Sequence, residues 1–85
     1  MSTKRIMGVA ISNRNNAAVK VQELLNEYGC SIKTRLGLHE ASEDICSIAG
    51  LVLLELIGDS AEYNQLQEKL SKLEGVQVQT MDFNL

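Results

Sequence analysis

The sequence predicts a small α+β sandwich of the ferredoxin-like kind. Its order is βαββαβ, with an antiparallel sheet in the order 4-1-3-2 and two helices on one face. Three observations predict it. Helical and strand periodicities alternate along all 85 residues with short turns between them. The second and fourth strands alternate apolar with polar residues, as edge strands of a half-covered sheet do. The first and third strands are apolar at both parities, which places them in the middle of the sheet.

Residues 4–12 (KRIMGVAIS) read as the first strand, with Met7, Val9 and Ile11 at one parity and Ile6, Gly8 and Ala10 at the other. Asn13-Arg14-Asn15-Asn16 breaks it, and Asn13 or Asn15 is the expected cap of the next helix. That helix runs to about Tyr28, with Ala17, Ala18, Val21, Leu24, Leu25 and Tyr28 recurring every three or four residues. Gly29 follows where a left-handed terminating residue belongs. The second strand, about Cys30–Leu38, sets Ile32, Thr34, Leu36 and Leu38 against Lys33, Arg35 and Gly37.

His39–Cys46 (HEASEDIC) is a polar loop, and the third strand spans Ser47 to Ile57 before Gly58. Asp59 caps the second helix, with Glu62 three residues on, and Leu66, Leu70 and Leu73 form its stripe. Gly75 ends it. Residues 76–83 (VQVQTMDF) form the last strand.

Residues 1–85 are expected to form one domain with a thin core, since a chain of this size buries only about 60–65% of its unfolded surface. Such domains need a staple or a partner. Two cysteines are too few for a secreted scaffold. A hairpin joining the second and third strands pairs Leu38 with Ser47 and sets Cys46 near His39, so Cys30 and Cys46 lie about 25 Å apart at about 3.3 Å per residue, beyond disulfide reach. Cys30 is expected to be a small buried apolar residue. A partner chain therefore leads. Net charge is −3 and the eight basic residues are scattered, so direct nucleic-acid binding is not expected. No apolar run has the length of a signal core or a membrane span, and a cytoplasmic location is expected.

Two helices cover one face of a four-stranded sheet, so the other face exposes five or six large apolar side chains from the central strands. Covering it contributes on the order of 8–15 kcal/mol before association costs, at about 1.5–3 kcal/mol per side chain. A homo-oligomer, dimer or tetramer, packed through the sheet is the simplest solution, with Met7, Val9, Ile11, Leu51 and Leu53 as expected interface residues.

Catalytic constellations fail one by one. The single histidine leaves no triad, and the first strand-to-helix turn has no glycine to cradle phosphate. Arg14 occupies the turn where acylphosphatases keep an arginine, but their glycine-rich surroundings are missing. Central-strand aromatics for stacking RNA are also missing. The chain is expected to be a non-enzyme without a cofactor. His39 and Cys46 flank one acidic loop and together with its carboxylates make a candidate metal site. Lys33 and Arg35, projecting from the second strand opposite Gly50 where backbone can approach closely, are the candidate anchors for an anionic effector, with Gly37 in the same candidate site.

Three segments carry a family resemblance: Ile32-Lys33-Thr34-Arg35-Leu36-Gly37, Leu56-Ile57-Gly58-Asp59, and Leu73-Glu74-Gly75-Val76-Gln77-Val78-Gln79-Thr80. Together they resemble the iron-only hydrogenase system regulators, small bacterial proteins with an ACT-like fold. The resemblance implies a regulatory role in a hydrogenase system. The fold is also similar to the C-terminal domain of nickel-responsive repressors, which hold nickel with a His-x-His pair. The corresponding stretch here, Arg35-Leu36-Gly37-Leu38, has no histidine, so no nickel ligands carry over. The expected function is a non-catalytic module that oligomerises through its sheet and binds a small effector at a subunit interface. The alternatives are a metal sensor using His39 and Cys46, or a structural adaptor in a larger complex.

Overall fold

The structure is a computed structural model that describes residues 3–12, 16–38 and 50–85. Strand β1 (Thr3–Ile11) leads to helix α1 (Ala17–Glu27), then through a 3-10 turn (Gly29–Ser31) to β2 (Ile32–Leu38). Strand β3 (Gly50–Leu56), helix α2 (Ser60–Ser71) and β4 (Val76–Asn84) complete the chain. The sheet is β2-β3-β1-β4, antiparallel throughout. This is the predicted order read from the other edge, with the two-faced strands central.

The helical stripes form as their spacing requires. Ala17, Val21 and Leu25 of α1 and Tyr63, Leu66 and Leu70 of α2 are buried against Met7, Val9, Leu54 and Leu56 of the sheet. Asp59 caps α2, its carboxylate accepting the Ala61 N–H at 2.9 Å. Gly75 takes φ +81° in the turn into β4, a left-handed backbone that only glycine adopts cheaply.

Several expectations are corrected. Met7, Val9 and Ile11 do not lie on the uncovered face. Met7 and Val9 are 0% exposed beneath the helices, and Ile11 packs against the same core. The physical reason is size: these are the bulky residues of β1, while the opposite parity carries Gly8 and Ala10, which would leave holes in a filled core. The β2–β3 pairing is also offset from the expected hairpin. Leu38 faces Leu51, not Ser47, and residues 39–49 lie outside the described residues.

A bulge between Ile32 and Thr34 breaks the simple alternation of β2. Ile32 turns to the core opposite Leu56, while Thr34 and Leu36 turn to the uncovered face.

Gly29 is not a left-handed terminator. Tyr28 closes α1, its N–H reaching Leu24 O at 3.0 Å, and Gly29 opens the 3-10 turn. That turn reverses the expectation for Cys30. Ser31 takes the inward place, its carbonyl receiving the Ile57 N–H at 2.9 Å, and Cys30 is left exposed. The α1 cap position is Asn16, left-handed at φ 56° and without a side-chain cap bond. Asn13 and Asn15 lie outside the described residues.

Candidate functional site

The strand alternation fixes what the helices leave bare. β1 presents Lys4, Ile6, Gly8 and Ala10 to the open face, and β3 presents Leu51, Leu53 and Glu55, paired in register as Ala10–Leu51, Gly8–Leu53 and Ile6–Glu55. On the far side β4 adds Gln77, Gln79, Met81 and Phe83, opposite Ala10, Gly8, Ile6 and Lys4 respectively. Leu36, 53% exposed, stands beside Leu53 on β2. Met81 and Phe83 are 58% and 44% exposed.

This surface is not flat. Gly8 and Ala10 lack the reach of their neighbours, so β1 forms the floor of a trough of about 340 Å³. Leu51 and Leu53 wall it on one side, Gln77, Gln79 and Met81 on the other. A Cβ placed on Gly8 meets nothing closer than Leu53 Cδ2 at 3.7 Å and the Gln79 carbonyl at 3.9 Å. These are ordinary van der Waals contacts, so a side chain at Gly8 would meet no clash.

Among the described residues one ion pair, Lys4 with Glu55, enters the apolar field. Glu55 sits between Thr34 and Ile6 and is held by Lys4 Nζ at 2.7 Å and by the Thr34 hydroxyl, which donates to it at 3.0 Å. The Lys4 ammonium first, then the Thr34 hydroxyl, hold its carboxyl below the usual range. The opposite face has its own charged clamp. Arg5 donates two bonds to Asp82, at 2.7 and 3.1 Å, and two more to Asn64 at 2.6 Å and Gln67 at 3.1 Å. Its guanidinium lies 5.1 Å from the Tyr63 ring centre. The hydrogen bonds to Asp82 raise the Arg5 pKa further, and Arg5 lowers that of Asp82. All four bonds of this clamp run within the chain, which marks it as a structural tie between β1, β4 and α2.

The predicted site residues separate. Leu51 and Leu53 lie on the open face as expected. Lys33 and Arg35 are both exposed on β2, but Arg35 reaches over α1 and donates to the side-chain amide oxygen Oε1 of Gln22. Neither stands opposite Gly50. Gly50 pairs with Ile11, Gly37 faces Val52, and Arg35 faces Leu54, because the hairpin register is offset. Gly37 is exposed, with no atom of the described residues within 4 Å of where a side chain would sit. His39 and Cys46 lie outside the described residues, and among the described residues no three His, Cys, Asp or Glu side chains cluster at metal-binding distances. No helix among the described residues is long and apolar enough to cross a membrane.

Ile6, Gly8, Ala10 and Met81 were not among the predicted site residues. The signal for them was present: two small residues at alternate positions of a central strand mark the face its own helices do not fill.

The TM1266-like family, described as an iron-only hydrogenase system regulator, matches residues 4–80. The chain belongs to this family. Among solved structures, this chain superposes on protein TM1266 from Thermotoga maritima with a TM-score of 0.81 at 24% identity, over 98% of this chain and all of that one. It is similar to the ACT domain of the GTP pyrophosphokinase of Chlorobium tepidum, with a TM-score of 0.63 and 18% identity over 93% of this chain and 96% of that domain. The apo form of CPII, a nitrogen regulatory PII-like protein from Thiomonas intermedia K12, gives 0.53 and 13% over 96% and 90%. These likenesses establish the ACT-like fold. No curated protein sequence matches.

Proposed function

We propose that this regulator is a cytoplasmic, non-catalytic module that self-associates through the open face of its single domain and binds a small anionic effector at the margin of that association. One observation carries the proposal: a sheet face bearing Ile6, Leu51, Leu53, Leu36, Met81 and Phe83 that neither helix covers. Contiguous apolar surface of this extent marks an interface on soluble proteins. Membership of a regulator family supports a control function, and the neighbouring fold occurs in an ACT domain and in a nitrogen regulatory PII-like protein. The effector anchor falls to Lys33 and Arg35, two exposed cations along the β2 margin. Gly37 supports it, since a ligand can reach its bare backbone without meeting a side chain.

Two measurements test this. Light scattering on the untagged protein at tens of micromolar gives a mass above the 9.4 kDa of one chain; a lone 9.4 kDa particle throughout that range ends the association. A thermal-shift panel of nucleotides, amino acids and simple anions finds at least one stabilising anion whose effect is lost in Lys33→Ala/Arg35→Ala. A flat panel ends the effector proposal and leaves the association standing.

A further inference from the structure

The open face has a tall side and a low side, and the two lie next to each other at the same heights along the sheet. Leu53 stands beside Gly8, and Leu51 beside Ala10, as register partners on the two central strands. We infer that the occupant of this face is a second copy of the chain, related by a two-fold axis running parallel to the strands between β1 and β3. In that arrangement Leu53 of each copy fills the space above Gly8 of the other, and Leu51 that above Ala10. This rests on the association proposed above and specifies its geometry.

The inference follows from symmetry and packing. A two-fold contact must be self-complementary, so each feature has to meet its own counterpart's opposite. Rotation by 180° about an axis parallel to the strands keeps a residue's height along the sheet and exchanges β3 with β1. Since Leu53 is paired with Gly8 and Leu51 with Ala10 at equal heights, the exchange sets each of these two leucines over a small residue, and at the third height Ile6 meets Glu55. Close-packed sheet sandwiches, with sheets about 10 Å apart, need this interdigitation. A two-fold axis across the strands would keep β3 over β3 and leave the glycine floor empty.

Area is consistent with a reversible pair. Four strands about 4.8 Å apart and seven residues of about 3.3 Å give a footprint of roughly 450 Å² per copy. Two copies together bury roughly 1,000 Å² or somewhat more, where specific interfaces begin and well below obligate ones. Glu55, the one acid on this face among the described residues, brings its own partners, Lys4 and Thr34, and is not buried as a bare charge.

The test is an exchange of sizes between two chains. Gly8→Leu puts a knob where the partner's Leu53 belongs and raises the self-dissociation constant at least ~30-fold. Leu53→Ala empties the knob and raises it about 10-fold or more. Mixed together, the two variants pair with each other. One contact then sets the leucine introduced by Gly8→Leu against the space opened by Leu53→Ala, and the other contact, Leu53 over Gly8, is native. The expected result in native mass spectrometry of two mass-labelled chains is a heterodimer in clear excess over the statistical half, with circular dichroism showing both variants folded. A side-by-side effect inside one chain cannot produce this preference, because the compensating changes are on different molecules. Where Gly8→Leu does not fold, Ala10→Leu and Leu51→Ala make the same exchange one row along. A dimeric wild type with no heterodimer preference in either exchange overturns this packing alone. A monomeric wild type overturns the association and this packing with it.

Discussion

The two faces of one sheet are both apolar, yet they are built to different rules. On the helix side the central strands are large where they meet: Met7 on β1 lies beside Leu54 on β3 and Val9 beside Val52, and Met7, Val9 and Leu54 are at most 1% exposed. On the open side large and small alternate across the strands, Leu53 with Gly8 and Leu51 with Ala10. A face covered by its own helices can be filled residue by residue, because helices supply side chains shaped to the remaining gaps. A face awaiting an identical copy has only its own relief to offer, so it must contain both knob and hole. Size pattern, more than hydrophobicity, separates the interior from the face proposed to associate.

The largest test of that difference is a matched pair of truncations. Leu54→Ala opens a cavity in the core beneath the helices and costs about 2–5 kcal/mol of unfolding free energy in urea titration. Leu53→Ala, its neighbour in sequence, costs the isolated chain under about 1 kcal/mol when measured below the dissociation concentration. Equal costs at that concentration would erase the distinction between the faces.

Next in size is the polar tie on the helix side. Arg5→Met removes four hydrogen bonds linking β1 to Asp82, Asn64 and Gln67. The expected loss is about 1–2 kcal/mol after allowing for solvent on the Asp82 side. The association of chains is unchanged, which sedimentation checks. A similar loss, about 1 kcal/mol, is expected for Gly75→Ala, which forces a side chain onto a backbone at φ +81°.

The smallest effects sort the two carboxylates by pH. Glu55 and Asp82 both have folded values below their ordinary ones of 4.5 and 3.8. A depressed folded value means the unfolded chain binds the proton more tightly. Each group's contribution is therefore fully present above its ordinary value and is lost as pH falls through the lowered folded one. For these two groups stability is thus flat near neutrality and declines below about pH 4.5, measured as midpoint against pH. Glu55→Gln removes the part of that decline belonging to the open face, Asp82→Asn the part belonging to the helix side. A decline unchanged in both variants would show that neither pair is linked to folding.

Much of the fold was legible because local periodicity and side-chain chemistry dictate it. The α1 stripe of Ala17, Val21 and Leu25, the Asp59 cap and the left-handed Gly75 all stand where spacing and turn chemistry put them. The sheet order followed from which strands were apolar on both faces. The candidate site was legible only in outline. Leu51 and Leu53 lie on the open face as expected, but Met7, Val9 and Ile11 were assigned to the wrong face. Both parities of β1 are apolar, and only the smallness of Gly8 and Ala10 distinguishes them. Arg35 and Gly50 were set opposite one another by a hairpin register that counts residues through the loop. The register Leu38 to Leu51 and the bulge after Ile32 moved them apart.

By itself, then, the sequence determined the elements, their order in the sheet and the fact that one apolar face exceeds what two helices can cover. Those depend on neighbours in the chain and on counting. Tertiary structure alone decided which parity of β1 went beneath the helices, how β2 slid and bulged against β3, and that Ser31 rather than Cys30 turned inward. Each of these is a contest between two chemically similar arrangements of the same residues. It is settled only by how volumes from distant segments fit together in one packed interior.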